Sequence, residues 1–129
     1  MKIISPLYID LPRKTKKDKR VYLNLNSYGN VNSFVNNEVK KAYLEAIREQ
    51  VEGKVIHTPV EIHYQVFKQS KRRLDKMNVI AVTSKYLLDA LTNLKCWVDD
   101  NDDYVNTETI LPTILDKNNP RVEITIISI

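Results

Sequence analysis

The sequence predicts a mixed α+β fold in one domain, and three observations carry that expectation. Residues 59–67, PVEIHYQVF, alternate apolar and polar side chains, the period of a half-buried strand. Residues 33–51 and 76–94 instead repeat apolar side chains at three- and four-residue spacing, the period of an amphipathic helix. The chain has 129 residues, 43% of them hydrophobic, which is enough for a single core and too apolar for wholesale disorder.

Taken in order, residues 2–11 read as a first strand, with Pro6 marking an edge position or a strand end. Residues 13–20, RKTKKDKR, form a basic arm that reads either as a solvated loop or as a phosphate-binding segment. Residues 21–32 mix strand-like alternation with Asn and Gly and read as a loop leading into a helix. Ser33 is the expected N-cap of that helix, Val35, Val39, Ala42, Tyr43, Ala46, Ile47 and Val51 form its apolar stripe, and Gly53 ends it. The strand at 59–67 leads through a basic turn, KQSKRR, to Asp75, which stands where a carboxylate caps the second helix. Residues 104–114 and 121–129 read as two closing strands, with DKNNP at 116–120 as a hairpin turn between them. The expected order is β-α-β-α-β-β, a mixed sheet packed by two helices.

Charge narrows the function classes. The net charge is +4 and the basic residues cluster, a lean toward anionic partners. A single cysteine, Cys96, excludes an internal disulfide, and no Cys/His set has zinc spacing. The N-terminus lacks the apolar core of a signal peptide, and no apolar run approaches the length of a membrane span. The expectation is a cytoplasmic protein with no membrane partner. His57 and His63 read as structural or surface residues, Cys96 as a small buried one, and Trp97 as core or dimer packing. Tyr22 and Tyr28 read as loop residues first and as base-stacking platforms second.

The segment with most chemistry is 68–105, KQSKRRLDKMNVIAVTSKYLLDALTNLKCWVDDNDDYV. It places Asp75 after a basic cluster and ends in a dense acidic knot, Asp99, Asp100, Asp102 and Asp103. Carboxylates near one another and near cations suit a divalent metal with a polyanionic substrate. Magnesium held by two or three carboxylates can activate water and neutralise charge during phosphodiester cleavage. That chemistry requires Asp75 and the acidic knot to converge in space.

RRLDKMN, YLLDALTNLKCWVDD and the closing strands resemble the RusA family of Holliday-junction resolvases carried by phages and prophages, over most of the chain. The resemblance implies a small homodimer that nicks four-way branched DNA at symmetric positions with Mg²⁺, or Mn²⁺ as a substitute, in the host cytoplasm if phage-encoded. It implies Asp75 and Asp100 as catalytic metal ligands with Asp99 beside them, Asn78 as the matched asparagine, and Lys85 as a catalytic cation. Arg13, Lys14, Lys16, Lys17, Lys19, Arg20, Lys71, Arg72, Arg73 and Lys76 are then the expected DNA contacts. Two departures stand out. Met77 occupies the place of the family's second aspartate, and Asn78 to Asp89 runs four residues longer, about one helical turn. Asp102 or Asp103 could replace the missing carboxylate. Met77 also motivates a second reading, a protein of this fold that binds branched DNA and cuts it weakly or not at all.

Overall fold

Strand β4 (Val60–Lys68) is the axis of the computed structural model, which describes residues 1–129. Its alternation becomes burial: Val60, Ile62, Tyr64 and Val66 are fully buried, while Glu61, His63 and Gln65 lie half-exposed on the other face. Both edges of β4 are occupied. β7 (Arg121–Ser128) runs antiparallel along one edge, from Val60↔Ser128 to Phe67↔Arg121. β5 (Val105–Ile110) and β6 (Ile114–Leu115) run parallel along the other. β1 (Lys2–Ser5) closes the sheet beyond β7, giving the order β1-β7-β4-β5 with β6 also on β4. Two parallel neighbours need a long crossover, and α3 (Lys76–Asn93) supplies it between β4 and β5.

Helix α2 (Ser33–Val51) and α3 cover one face of this sheet. Val39, Tyr43, Ile47 and Val51 of α2 and the broad apolar face of α3 join the inward residues of β4 and β7 in one core of 26 buried residues. The result is a two-layer α+β domain, as expected. Ser5 Oγ and the Tyr43 hydroxyl, both drawn into the core, lie 2.8 Å apart and satisfy each other, whereas the buried Thr83 Oγ1 has no partner. The outer edge of β1 is answered by a side chain: Ile4 N–H donates to Gln50 Oε1 at 2.8 Å, and Gln50 Nε2 donates back to the Ile4 carbonyl at 2.8 Å. Gln50 thus stands in for a missing strand and blunts that edge.

Several expectations need correction. The first strand is two strands, because Pro6 ends β1 and the chain turns to form β2 (Tyr8–Leu11), which pairs with β3 (Lys19–Tyr22) in a separate ribbon. The stretch expected to be a loop therefore contains the end of β3 and a short helix, α1 (Leu25–Asn30), capped by the Asn24 side chain on Ser27 N–H at 2.8 Å. The N-cap of α2 is Asn32, whose side chain accepts from Val35 N–H at 2.9 Å, and Ser33 is the first helical residue. Gly53 adopts φ +79 just past α2, a conformation open to glycine at little cost. The strand expected at 104–114 is broken into β5 and β6, since Pro112 cannot donate to a ladder. Residues 116–120 are not a hairpin turn, because β4 lies between β6 and β7.

The depth of β4 has a measurable consequence. Ile62→Ala, at a fully buried position, should cost ~2–5 kcal/mol in urea unfolding. Ile127→Ala, 41% exposed near the end of β7, should cost no more than about 0.5 kcal/mol, as surface changes do. Equal losses would contradict the central placement of β4.

Candidate nucleic-acid interface

The end of β4 opens into a cleft of about 510 Å³ where three chain segments meet. The β2–β3 ribbon contributes Tyr8, Arg20 and Tyr22; the loop after β4 contributes Lys68, Arg72 and Arg73; the loop before β7 contributes Lys117. No aspartate or glutamate lines it. Lys68, Arg72, Arg73 and Lys117 make no ion pair, so their charge is uncompensated by the protein. Uncompensated cations held close together repel one another, and a bound polyanion relieves that repulsion.

Local chemistry sets each wall. In the ribbon, Tyr8 pairs with Tyr22 and Asp10 with Arg20, so these four side chains share one face. Ile9 and Val21 point the other way into the core. The Arg20 guanidinium donates to Asp10 Oδ1 at 2.9 Å and Oδ2 at 3.2 Å, and its carbon sits 3.8 Å above the Tyr8 ring. That fork holds the Asp10 carboxyl below the usual carboxylate range. In the second wall, Lys68 Nζ donates to the Arg72 carbonyl at 3.0 Å and folds the loop back on itself. In the third, Arg121 donates to Asp116 Oδ2 at 2.8 Å and to the Asn119 carbonyl at 2.7 Å, while stacking 3.8 Å from the Phe67 ring. These bonds hold the loop that carries Lys117.

The expected DNA contacts therefore divide. Arg20, Arg72 and Arg73 line the cleft. Arg13, Lys14, Lys16 and Lys17 lie exposed in the turn of the ribbon, closed by Arg13 Nε on the Lys17 carbonyl at 2.7 Å. Lys19 lines a separate shallow groove beside Phe34. Lys71 is exposed on the second loop, and Lys76 reaches the Leu111 carbonyl at 3.5 Å. Lys117, Tyr8 and the placement of Tyr22 were not foreseen. Lys117 is the only cation in its loop, so no local pattern marks it.

The carboxylates expected to share a metal do not meet. Asp75 is the exposed N-cap of α3, accepting from Asn78 N–H at 3.3 Å, and it borders the cleft through its neighbour Leu74. Asp99 and Asp100 follow the other end of the same helix. An 18-residue helix is ~27 Å long at ~1.5 Å per residue. Asp100 feels the charge of Asp89 in the closing turns of α3, ~20 Å along the axis from Asp75. Lys85 is exposed between them, ~15 Å from Asp75 by the same rise. Met77 is 60% exposed and offers no ligand oxygen. No group of three or more His, Cys, Asp or Glu side chains is placed to hold a metal ion. Asp75, Asp99 and Asp100 thus do not fit one Mg²⁺ or Mn²⁺ within a chain. The reason is topological: in a parallel strand–helix–strand unit, the residue before the helix lies at the carboxyl ends of the strands and the residues after it at their amino ends.

The acidic knot has its own account. Asp99 Oδ1 accepts from Asp100 N–H at 2.8 Å, Asp99 Oδ2 accepts from Asn101 Nδ2 at 3.0 Å, and Asn101 Oδ1 accepts from Asp103 N–H at 2.9 Å. These are the local bonds by which Asp and Asn build turns, here between α3 and β5. Asp102 and Asp103 are exposed. Asn78 is also structural: its Oδ1 accepts from Leu25 N–H at 3.0 Å and ties α3 to the start of α1. Cys96 is buried, its Sγ 3.4 Å from the Val51 carbonyl, and Trp97 is 6% exposed with its indole N–H on Thr92 Oγ1 at 2.8 Å. His63 faces Glu61 at 3.0 Å on the open side of the sheet.

A scan of protein-family models and a search of curated proteins found no match to this chain. The RusA resemblance therefore stands on the motif residues alone. No helix is long and apolar enough to cross a membrane.

Asp100 offers a pH test of the acidic loop. Burial first, then contact with Asp99 and the charge of Asp89, raise its carboxyl above the ordinary carboxylate value. A raised folded-state value means the ionised form weakens the fold. The penalty is present above that value and absent once the pH falls below the unfolded value. Asp100→Asn should therefore raise the melting temperature at neutral pH and leave it unchanged near pH ~3, below the usual carboxylate range. A lower melting temperature at neutral pH would contradict the repulsive arrangement.

Proposed function

We propose that this chain binds the phosphate backbone of branched DNA through the cleft at the end of β4. The observation that carries the reading is the convergence of Arg20, Lys68, Arg72, Arg73 and Lys117 on one acid-free cleft. Phosphate contacts of this kind position a nucleic acid and make affinity salt-dependent, whatever the sequence. The resemblance adds branched DNA and a homodimer, whose paired clefts would suit a symmetric junction. It also adds the cytoplasm as the place of action. Binding is favoured over cutting because the two expected metal-binding ends lie a helix length apart.

Mg²⁺-dependent cleavage is the second reading, and one placement favours it. Asp75 stands exposed beside the cleft and makes no ion pair. A synthetic four-way junction separates the two readings. The expected result is binding without paired nicks across a range of Mg²⁺ and Mn²⁺. Arg72→Ala, Arg73→Ala and Lys117→Ala should each weaken binding and lower the slope of log affinity against log salt by up to ~0.9, the value for one lost phosphate contact. Metal-dependent nicks that vanish in Asp75→Asn, with binding retained, would select the nuclease. Unchanged affinity in all three cation variants would remove the cleft from the interface.

A further inference from the structure

We propose that the cleft takes an unpaired DNA strand, with one base stacked on Tyr22 and the adjoining phosphates held by Lys68, Arg72 and Lys117. The inference rests on the reading of the cleft as a nucleic-acid site and adds which form of nucleic acid enters it.

Tyr22 is an aromatic ring left half open among cations. It is 51% exposed, whereas its chain neighbours Val21 and Leu23 are buried. The ring is not loose. Tyr8 stands opposite it in the ribbon and meets it edge-on, with centroids 5.8 Å apart and planes at 66°. Tyr8 in turn has one face covered by the Arg20 guanidinium, which Asp10 holds by two bonds. Leu23 N–H on the Leu7 carbonyl at 2.9 Å fastens the ribbon beside the cleft. The chain of contacts from Asp10 to Arg20 to Tyr8 positions Tyr22 before any ligand arrives, which lowers the ordering cost of binding.

Geometry selects the unpaired strand. A base inside a duplex has both faces covered by its neighbours and cannot stack on a side chain. The cleft, of about 510 Å³, has room for an unpaired base together with its flanking phosphates. Cations on the two facing loops supply the phosphate contacts, and an aromatic platform among such cations is how strands are held without sequence preference.

The test uses fluorescence anisotropy with a labelled oligothymidylate of ~10 nucleotides, inside the usual ~4–16 per site. The comparison ligands are an abasic oligomer of equal length and a blunt duplex. The oligothymidylate should bind roughly tenfold more tightly than the abasic oligomer, as one stacked base predicts. Tyr22→Leu should erase that difference and Tyr22→Phe should keep it, with both variants confirmed as folded by circular dichroism. Equal binding of the two oligomers, or a preference for the duplex, would overturn the proposal. So would a tighter complex with oligouridylate. If Tyr22→Leu keeps the preference while Arg72→Ala and Lys117→Ala weaken both oligomers, the stacking claim falls and the phosphate-binding reading survives. If neither oligomer nor the duplex binds, both fall.

Discussion

The parallel pairing of β4 with β5 and β6 is the constraint on which the rest of the structure depends. It forces a crossover, and the crossover is α3. The helix must begin where β4 ends and finish where β5 begins, at opposite ends of the strands. This one requirement sends the basic loop, Leu74 and Asp75 to one end of the molecule. It sends Asp89, Asp99 and Asp100 to the other. The unpaired cations of the cleft therefore lie at the carboxyl end of β4, a helix length from Asp89, Asp99 and Asp100.

Separation of this kind changes what each group can do. A carboxylate beside cations is stabilised as an anion, and the Asp10, Asp116 and Glu123 carboxyls are all held low, each chiefly by its hydrogen bond to a basic side chain. Asp100 is pushed up instead, first by burial and then by its neighbours Asp99 and Asp89. The cations that do find partners serve as struts. Arg20 on Asp10 and Arg121 on Asp116 and Glu123 brace the two walls that flank the loop after β4. Exposed ion pairs of this sort add little stability by themselves, with a median near ~0–1 kcal/mol. Their effect here is positional, because they fix loops on which unpaired cations and an exposed tyrosine are carried. The carboxyl end of a strand in an open sheet is also where α/β proteins commonly bind ligands, since loops there are free to converge.

Met77 and the longer run from Asn78 to Asp89 take on meaning in this setting. An exposed methionine on the first turn of α3 leaves Asp75 as the one acid at that end of the helix next to the cleft. Asn78, matched to a family motif by its place in the sequence, is engaged in tying α1 to α3. In space the basic loop after β4 helps build a cationic cleft, and the acidic knot builds an Asx-rich turn at the far end of α3.

The sequence by itself determined the periodic elements. Residues 33–51, 59–67 and 76–94 were legible because burial of one face imposes a period of 3.6 or 2 on the chain, and that period survives without knowledge of any partner. Gly53, Pro6 and the capping Asp75 were legible for a similar reason, since backbone conformation is decided locally. The basic arms were visible as composition. Tertiary structure alone decided which strands are neighbours, so the hairpin expected at 116–120 became a passage across β4, and the first strand became two. It alone decided that Lys117 joins Arg72 in one cleft and that Asp75 and Asp100 stay apart. Pairing partners and distances between charges depend on contacts made across the fold, and side-chain periodicity carries no record of which edge of a sheet a loop will reach.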